Sequence, residues 1–290
     1  MTEFFQYILN GISQGCIYAL LASGLTLILG ILGVPNFAQG HLYMLGAYIT
    51  FYVVSSFSMS YWMALVMATI ALGIVGLIIE RLIFRPMEKA DEVNLFVASL
   101  GLLMVLEGAA VYFFGPRMKW FVTPFSREVL NFAGLALTLQ RLIIIVATIL
   151  IMIAIPLFIK KTALGATLEA TAQNREGAML CGIRVSRVTA MTFAIGTALA
   201  GAAGVLIGPA ANVVPTMGLG PLLIAFAAVI FGGLGSIAGA VLGAFIMALI
   251  ESLVAGYLSA AYSEVFIFGI MILVLLFRPM GLFGREVWRP

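Results

Sequence analysis

Residues 139–159 read LQRLIIIVATILIMIAIPLFI, and residues 160–187 continue with KKTALGATLEATAQNREGAMLCGIRVSR. A helix crosses the hydrocarbon core of a bilayer when about 20 consecutive residues are mostly apolar, and the first stretch meets this requirement. The second stretch mixes small, polar and charged residues without a spanning run. The two together predict a transmembrane helix that leads into a long polar segment.

Apolar runs like the first one fill most of the chain, in which 63% of the residues are hydrophobic and only 9% are charged. The mean hydropathy of +1.17 excludes an ordinary soluble domain. We expect spans at residues 4–30, 39–57, 61–84, 93–114, 139–159, 188–211, 217–233, 236–257 and 262–278. The predicted fold is an all-α membrane protein in one domain, residues 1–290, built as a polytopic bundle of eight or nine transmembrane helices.

Two features leave the number of spans open. Glycines bound the run at 217–233 on both sides, so this helix could be broken or re-entrant. A count of eight with an inside C-terminus would require that one of the first three runs does not cross. Nine spans place the N-terminus outside, and eight place it inside.

Basic residues accumulate on the cytoplasmic side of membrane proteins, and here their positions predict the orientation. If the breaks at 81–92 and 160–187 and the C-terminus lie inside, eleven of the 15 lysines and arginines are cytoplasmic. These eleven are Arg81, Arg85, Lys89, Lys160, Lys161, Arg175, Arg184, Arg187, Arg278, Arg285 and Arg289. We therefore expect a cytoplasmic C-terminus and a cytoplasmic loop at 160–187.

This loop is predicted to form two short helices. Residues 164–173 form the first, Asn174 can cap the second, and Gly182 can end the second in a left-handed conformation. The segment could also lie on the membrane surface as an amphipathic helix. Its alanines and glycines offer little apolar area to lipid but allow close approach to a protein, which favours docking on a cytoplasmic partner.

Ionisable residues inside a membrane are costly, so Glu107 and Glu251 are candidates for the substrate path. Glu107 could meet a substrate amine, take up a proton and stay neutral, or pair with a polar group of another helix. The last of these roles is structural rather than functional.

Polar residues also interrupt the apolar runs near a Gly- and Pro-containing break. Asn36, Gln39 and His41 could offer polar groups to a ligand there, or belong to an ordinary loop. Ser99 and Asn212 are further candidates for the same path. Small residues at every fourth position from 196 to 208 are expected to pack helices together and to touch no substrate.

No pattern for catalysis or for a metal centre is found. The chain has one histidine and two widely separated cysteines, and it lacks the G-x-x-x-x-G-K-[ST] phosphate loop. We expect a transporter rather than an enzyme, with no metal or cofactor bound by this chain and no ATP hydrolysis of its own.

Four stretches together carry a resemblance to a known family. They are GVPNFAQG at 33–40, the loop at 160–187, FGGLGSIAGAVLG at 231–243 and LFRPMGLFG at 276–284. Through the order and spacing of these four stretches, the chain resembles the permease subunits of ABC importers for branched-chain amino acids. That family commonly shows Asn-Phe-Ala-His-Gly-Glu where this chain has Gln39 and His41 at the fourth and sixth positions, and a glutamine where it has Glu107.

The resemblance implies a membrane-spanning subunit that moves leucine, isoleucine or valine inward. Its implied partners are two cytoplasmic ABC ATPases that use ATP, a second related permease and a periplasmic substrate-binding protein, in a bacterial inner membrane and without nucleic acid. The loop at 160–187 is similar to the coupling helices that dock on the ATPases. Carried over by position, the contact candidates are Thr167, Glu169, Asn174, Arg175, Glu176, Ala178 and Gly182.

Two alternatives remain at this point. Similar permeases also transport urea, short amides and aromatic acids, so the resemblance alone does not fix the substrate. A stand-alone secondary transporter or channel with Glu107 as a proton or ion site is the second alternative. That reading leaves the loop at 160–187 unexplained.

Overall fold

The computed structural model describes residues 2–88, 90–132, 135–278 and 280–283. In chain order its elements are α1 (Thr2–Leu32), α2 (Gln39–Ser55), α3 (Tyr61–Ile79), a π-helical turn (Glu80–Phe84), α4 (Glu92–Phe114), α5 (Pro124–Arg127), β1 (Val129–Phe132), β2 (Leu135–Thr138), α6 (Leu139–Lys161), α7 (Ala163–Gln173), α8 (Arg175–Leu180), α9 (Val185–Ile207), a 3-10 turn (Gly208–Ala210), α10 (Leu219–Gly232), α11 (Ile237–Tyr257) and α12 (Ala260–Phe277). Lys89, Arg285 and Arg289, which were counted as cytoplasmic, lie outside the described residues, as do Pro279 and Gly284 of the fourth resembling stretch.

Each predicted apolar run contains one helix, which confirms the all-α polytopic fold. Over the described part of the chain, seven helices are long and apolar enough to cross a membrane. α2 has 17 residues and α10 has 14, fewer than the about 20 that a complete helical crossing needs. Whether the bundle makes eight or nine crossings therefore stays a prediction.

α1 and α9 form the centre of the bundle and are buried along most of their length. α9 packs against α1, α2 and α3 through the small residues predicted to serve this purpose. A side chain at Gly204 would overlap the backbone oxygen of Tyr43, and one at Gly196 would come within 2.8 Å of Ile28. The stripe of small residues is thus confirmed as a packing surface.

The bundle has two distinct ends. The first, called the hairpin end, carries β1 and β2, which pair antiparallel and which the sequence did not predict. There Lys119 also pairs with Val213 in an isolated β-bridge. The second, called the loop end, carries α7 and α8.

α2 and α10 are short helices whose N-termini meet inside the bundle. Gly40 and Gly218 lie so close together that a Cβ on either one would overlap the backbone oxygen of the other. The next residue, His41, contacts Glu107. Because an α-helix rises 1.5 Å per residue, Glu107 lies about 22 Å along α4 from its first residue, Glu92. α2 therefore begins well inside the bundle and runs to the hairpin end, while α10 runs from the same depth to the loop end.

The sequence left open whether the run at 217–233 is broken or re-entrant. The structure shows a continuous helix from Leu219 to Gly232, preceded by a non-helical segment that starts near Val213 at the hairpin end. The irregular backbone therefore lies before the helix and not within it.

Residues 281–283 cover the loop end of α10. The backbone N–H groups of Leu282 and Phe283 donate to the carbonyl oxygens of Phe231 and Gly232, at 2.9 and 3.0 Å. These carbonyls belong to the last turn of α10, where the helix itself supplies no donors.

Candidate functional site

Three fully buried polar side chains lie at the start of α2, with Asn36 in the break before the helix and Gln39 and His41 in its first turn. Asn36 accepts a hydrogen bond from the backbone of Ala38 at 3.1 Å, and Gln39 donates through Nε2 to the carbonyl oxygen of Gly196 at 2.6 Å. These bonds fix the chain as it enters the helix. The break is therefore part of the bundle interior and not an ordinary surface loop.

Each of these three side chains also keeps one polar atom without a partner. Within the described residues, Asn36 Nδ2, Gln39 Oε1 and His41 Nδ1 form no hydrogen bond. A buried polar atom without a partner costs about 1–3 kcal/mol. Together they supply hydrogen-bonding capacity that a solute passing through the bundle could use.

His41 and Glu107 form a pair between α2 and α4, with Nε2 and Oε2 separated by 3.1 Å. The histidine is fully buried, whereas the glutamate side chain is 36% exposed on the outer surface of the bundle. Stacked rings of Tyr48 and Phe114, 4.4 Å apart, join the same two helices nearer the hairpin end. Of the three roles considered for Glu107, the structure shows pairing with another helix.

Ser99 belongs to the same region, but its hydroxyl is used mostly by its own helix. It donates to the carbonyl oxygen of Phe96 at 2.8 Å and lies 3.5 Å from that of Pro35. Asn212 and Glu251 are placed elsewhere. Asn212 is exposed at the hairpin end, and Glu251 lies on α11, which packs against α1, α10 and α12.

The N-termini of α2 and α10 give this region a positive electrostatic character. The first N–H groups of a helix lack intrahelical partners and carry the positive end of the helix dipole. Asn36 also lines a pocket between the two helix starts that is too narrow to admit a water molecule. The arrangement can bind a polar or anionic solute group only after the two helix starts separate.

The sequence did not reveal an aromatic cluster around Lys119 at the hairpin end. Its ammonium nitrogen lies 4.6 Å from the ring centre of Tyr52 and 5.1 Å from that of Phe51, and it contacts the Tyr52 hydroxyl at 2.5 Å. Because Lys119 also pairs with Val213, it joins the far end of α2 to the segment leading into α10. The only available signal was the close spacing of aromatic residues in α2.

At the loop end, α7 and α8 form as predicted. Thr162 accepts a hydrogen bond from the backbone N–H of Gly165 at 3.0 Å, which caps α7. Asn174 caps α8 by accepting from Gly177 at 2.8 Å. Gly182 has a φ of +80°, so its predicted left-handed conformation is confirmed as well.

The contact candidates of this loop differ in exposure. Glu169, Asn174, Glu176 and Gly182 are exposed, and Thr167 is half-buried. Ala178 is only 4% exposed and faces the bundle, so it positions α8 instead of forming its outer surface.

Arg175 forms an ion pair with Glu88 of the segment that joins α3 to α4. Leu180, which no sequence pattern indicated as a contact residue, is 90% exposed at the end of α8. With its neighbour Met179, which is 52% exposed, it forms contiguous exposed apolar surface, a feature that marks protein or membrane interaction sites.

Comparison with known proteins identifies the class of this membrane protein. Residues 7–275 match the family described as branched-chain amino acid transport system / permease component. The permease LivH of Escherichia coli K12 is 35% identical, with 97% of this chain and 96% of the relative covered. BraD of Pseudomonas aeruginosa is 34% identical over 98% and 96%, and a probable LivH of Methanocaldococcus jannaschii is 33% identical over 93% and 89%. No solved structure matches the chain significantly.

The fold and these similarities define a multi-pass permease component of a transport system in the inner membrane. More particularly, the chain belongs to the family of branched-chain amino acid transport permeases, as the four resembling stretches predicted.

Proposed function

We propose that this chain is the membrane-spanning subunit of an ABC importer that moves leucine, isoleucine or valine into the cell. Two cytoplasmic ABC ATPases provide the energy, and a periplasmic binding protein delivers the substrate. The chain itself binds no ATP. In this assignment the loop end and the C-terminus are cytoplasmic, and the hairpin end faces the periplasm.

The observation that supports coupling to ATPases is the shape of the loop end. α7 and α8 are both capped, so their orientation is fixed, and α8 presents Leu180 to the solvent. A loop that only joined two spans would need neither a second helix nor an exposed leucine. We assign Leu180, with Glu169, Glu176 and Asn174, to the surface that docks on an ATPase.

A second related permease accounts for the exposed side of α4. Met104, Val105 and Tyr112 are 72%, 65% and 83% exposed, and Glu107 opens onto the same side of the bundle. A half-exposed carboxylate is costly against lipid. A second permease covering α4 would shield it and would place the His41–Glu107 pair close to the interface.

The substrate path follows the break before α2. Asn36, Gln39 and His41 supply the buried polar atoms, and the starts of α2 and α10 supply backbone N–H groups suited to a carboxylate. Ser99 and Glu107 border this path from α4. In an alternating-access cycle the starts of these two short helices separate to let the solute pass.

The test compares Leu180→Glu with Leu258→Glu, a change at a leucine 63% exposed at the hairpin end. We expect Leu180→Glu to abolish co-purification of the ATPases and ATP-driven leucine uptake in proteoliposomes, because a charge then occupies an apolar contact. Leu258→Glu should retain both. Uptake driven by a pH gradient alone, without ATPases, would instead identify a stand-alone transporter.

A further inference from the structure

A cavity of about 200 Å³ lies at the loop end, apart from the break before α2. It forms where the end of α1, the π-helical turn after α3, the start of α4 and the start of α9 meet α8. Its charged lining residues are Glu80, Glu88, Glu92, Arg85 and Arg175. Its volume suits a small metabolite rather than a bare ion, and it is smaller than the sites of drug-sized ligands.

Glu80 gives this cavity one carboxylate oxygen whose need for a hydrogen-bond donor is unmet. The residue is 1% exposed, and its Oε1 accepts a hydrogen bond from Arg85 Nε at 3.3 Å. Its Oε2 is buried and, within the part of the chain that the structure describes, has no hydrogen-bond partner. Glu80 also opens the π-helical turn, and such turns are rare and frequent at functional sites.

The same cavity offers groups that bind a carboxylate. Arg85 donates to the backbone oxygen of Ser186 at 3.3 Å. Arg175 is paired with Glu88, and both side chains are partly exposed, so this ion pair exchanges easily with solvent or with a ligand. A guanidinium group binds a carboxylate through two parallel hydrogen bonds.

Part of the remaining wall is apolar, and Ser186 and Thr189 complete it. Leu32, Phe84 and Leu95 line the cavity and come from α1, the π-helical turn and α4. A bare cation needs no apolar wall, whereas an aliphatic side chain does. Carboxylate, guanidinium and apolar surface together match an ammonium, a carboxylate and an aliphatic group in one small molecule.

We propose that this cavity binds a free aliphatic amino acid from the cytoplasm, with its ammonium at Glu80 and its carboxylate at Arg175. The inference rests on the proposed function for the substrate and for the side of the membrane. Binding replaces the Arg175–Glu88 contact and so loosens α8 from the segment that joins α3 to α4. The cavity is thus a product site that reports the internal amino acid concentration to the coupling loop.

The test measures binding of radiolabelled leucine to the complete transporter in nanodiscs, without ATP and without binding protein. We expect saturable binding that Glu80→Gln weakens at least tenfold. Ala90→Leu, which fills the cavity from a half-buried loop position without removing a charge, should weaken it similarly. Glu264→Gln, at an exposed carboxylate of the hairpin end, should leave it unchanged.

Three results would overturn the inference. The first is leucine uptake by the wild-type transporter without saturable binding, and the second is binding that both cavity variants retain. Competition by methylammonium as strong as that by leucine is the third, because it would identify a simple cation site. Failure of the proposed function differs from all three, since leucine would then not be transported at all.

Discussion

α2 and α10 have similar positions in the bundle but different residues at their starts. Both are short helices that start at the same depth, and their glycines, Gly40 and Gly218, allow the two starts to touch. The start of α2 carries Asn36 just before the helix and Gln39 and His41 in its first turn, whereas residues 217–222 before and within the start of α10 are only glycine, proline and apolar residues. The start of α2 is therefore specialised for polar contacts, and the start of α10 is specialised for close packing.

The largest effect is expected from breaking the contact between the two helix starts. In Gly40→Ala the new Cβ would overlap the backbone of Gly218 and lie 2.8 Å from Leu222 Cβ. Because backbone atoms cannot move aside as a side chain can, we expect a loss of about 3 kcal/mol in stability. Thermal unfolding of the purified permease in detergent, together with leucine uptake, measures it.

Gly220→Ala provides the control, since a Cβ at Gly220 meets no atom within 4 Å. It should be neutral or slightly stabilising, because alanine favours a helix over glycine by about 1 kcal/mol. Equal effects of the two variants would mean that the starts of α2 and α10 are not in contact.

An intermediate effect is expected from a change in the polar start of α2 alone. His41→Glu places a carboxylate beside Glu107, where the present pair is 3.1 Å apart. Repulsion between like charges, with the loss of a buried hydrogen bond, should cost about 2 kcal/mol. Transport and thermal stability should both fall.

The double variant His41→Glu with Glu107→Gln should recover most of this loss, because the glutamine amide can donate to the new carboxylate. This combination restores the residues that resembling permeases commonly show at both positions. Additive losses in the double variant would show that the two positions act independently.

The smallest effect is expected from the link between the far end of α2 and the segment before α10. Lys119→Met keeps an unbranched side chain but removes the charge that lies 4.6 Å from the ring centre of Tyr52. The lost cation–π contact should cost about 1 kcal/mol. Limited proteolysis should then cut the loop between α4 and α5 faster, while a wild-type cleavage rate would show that the β-bridge with Val213 is sufficient.

The features that sequence predicted well are those set by local chemistry. Nine apolar runs gave nine helices, because length and hydropathy decide whether a segment is helical in lipid. Asn174 and Gly182 were assigned correctly, because a cap and a left-handed glycine depend on a few neighbouring residues. The family was identified from stretches whose order and spacing are specific.

Contacts between segments that are distant in the chain could not be predicted from the sequence. His41 and Glu107 were both candidates, but nothing in one chain indicates that residues 66 positions apart touch. The depth at which α2 begins depends on how α4 and α9 pack around it. Glu80 was hidden inside a predicted span, since its place in a cavity depends on a π-helical turn that hydropathy does not show.

The hydrogen bonds from residues 282 and 283 to the last turn of α10 have a consequence for biogenesis. These donors lie about 50 residues after Gly232 in the chain, so at roughly 5–20 residues per second the ribosome delivers them several seconds later. Until then the last carbonyls of α10 lack these donors, and the helix packs only against α1, α2 and α11 of its final neighbours. The transporter thus completes one of its two short helices only after α11 and α12 have been translated, which makes this step a natural point for membrane quality control to distinguish finished from unfinished subunits.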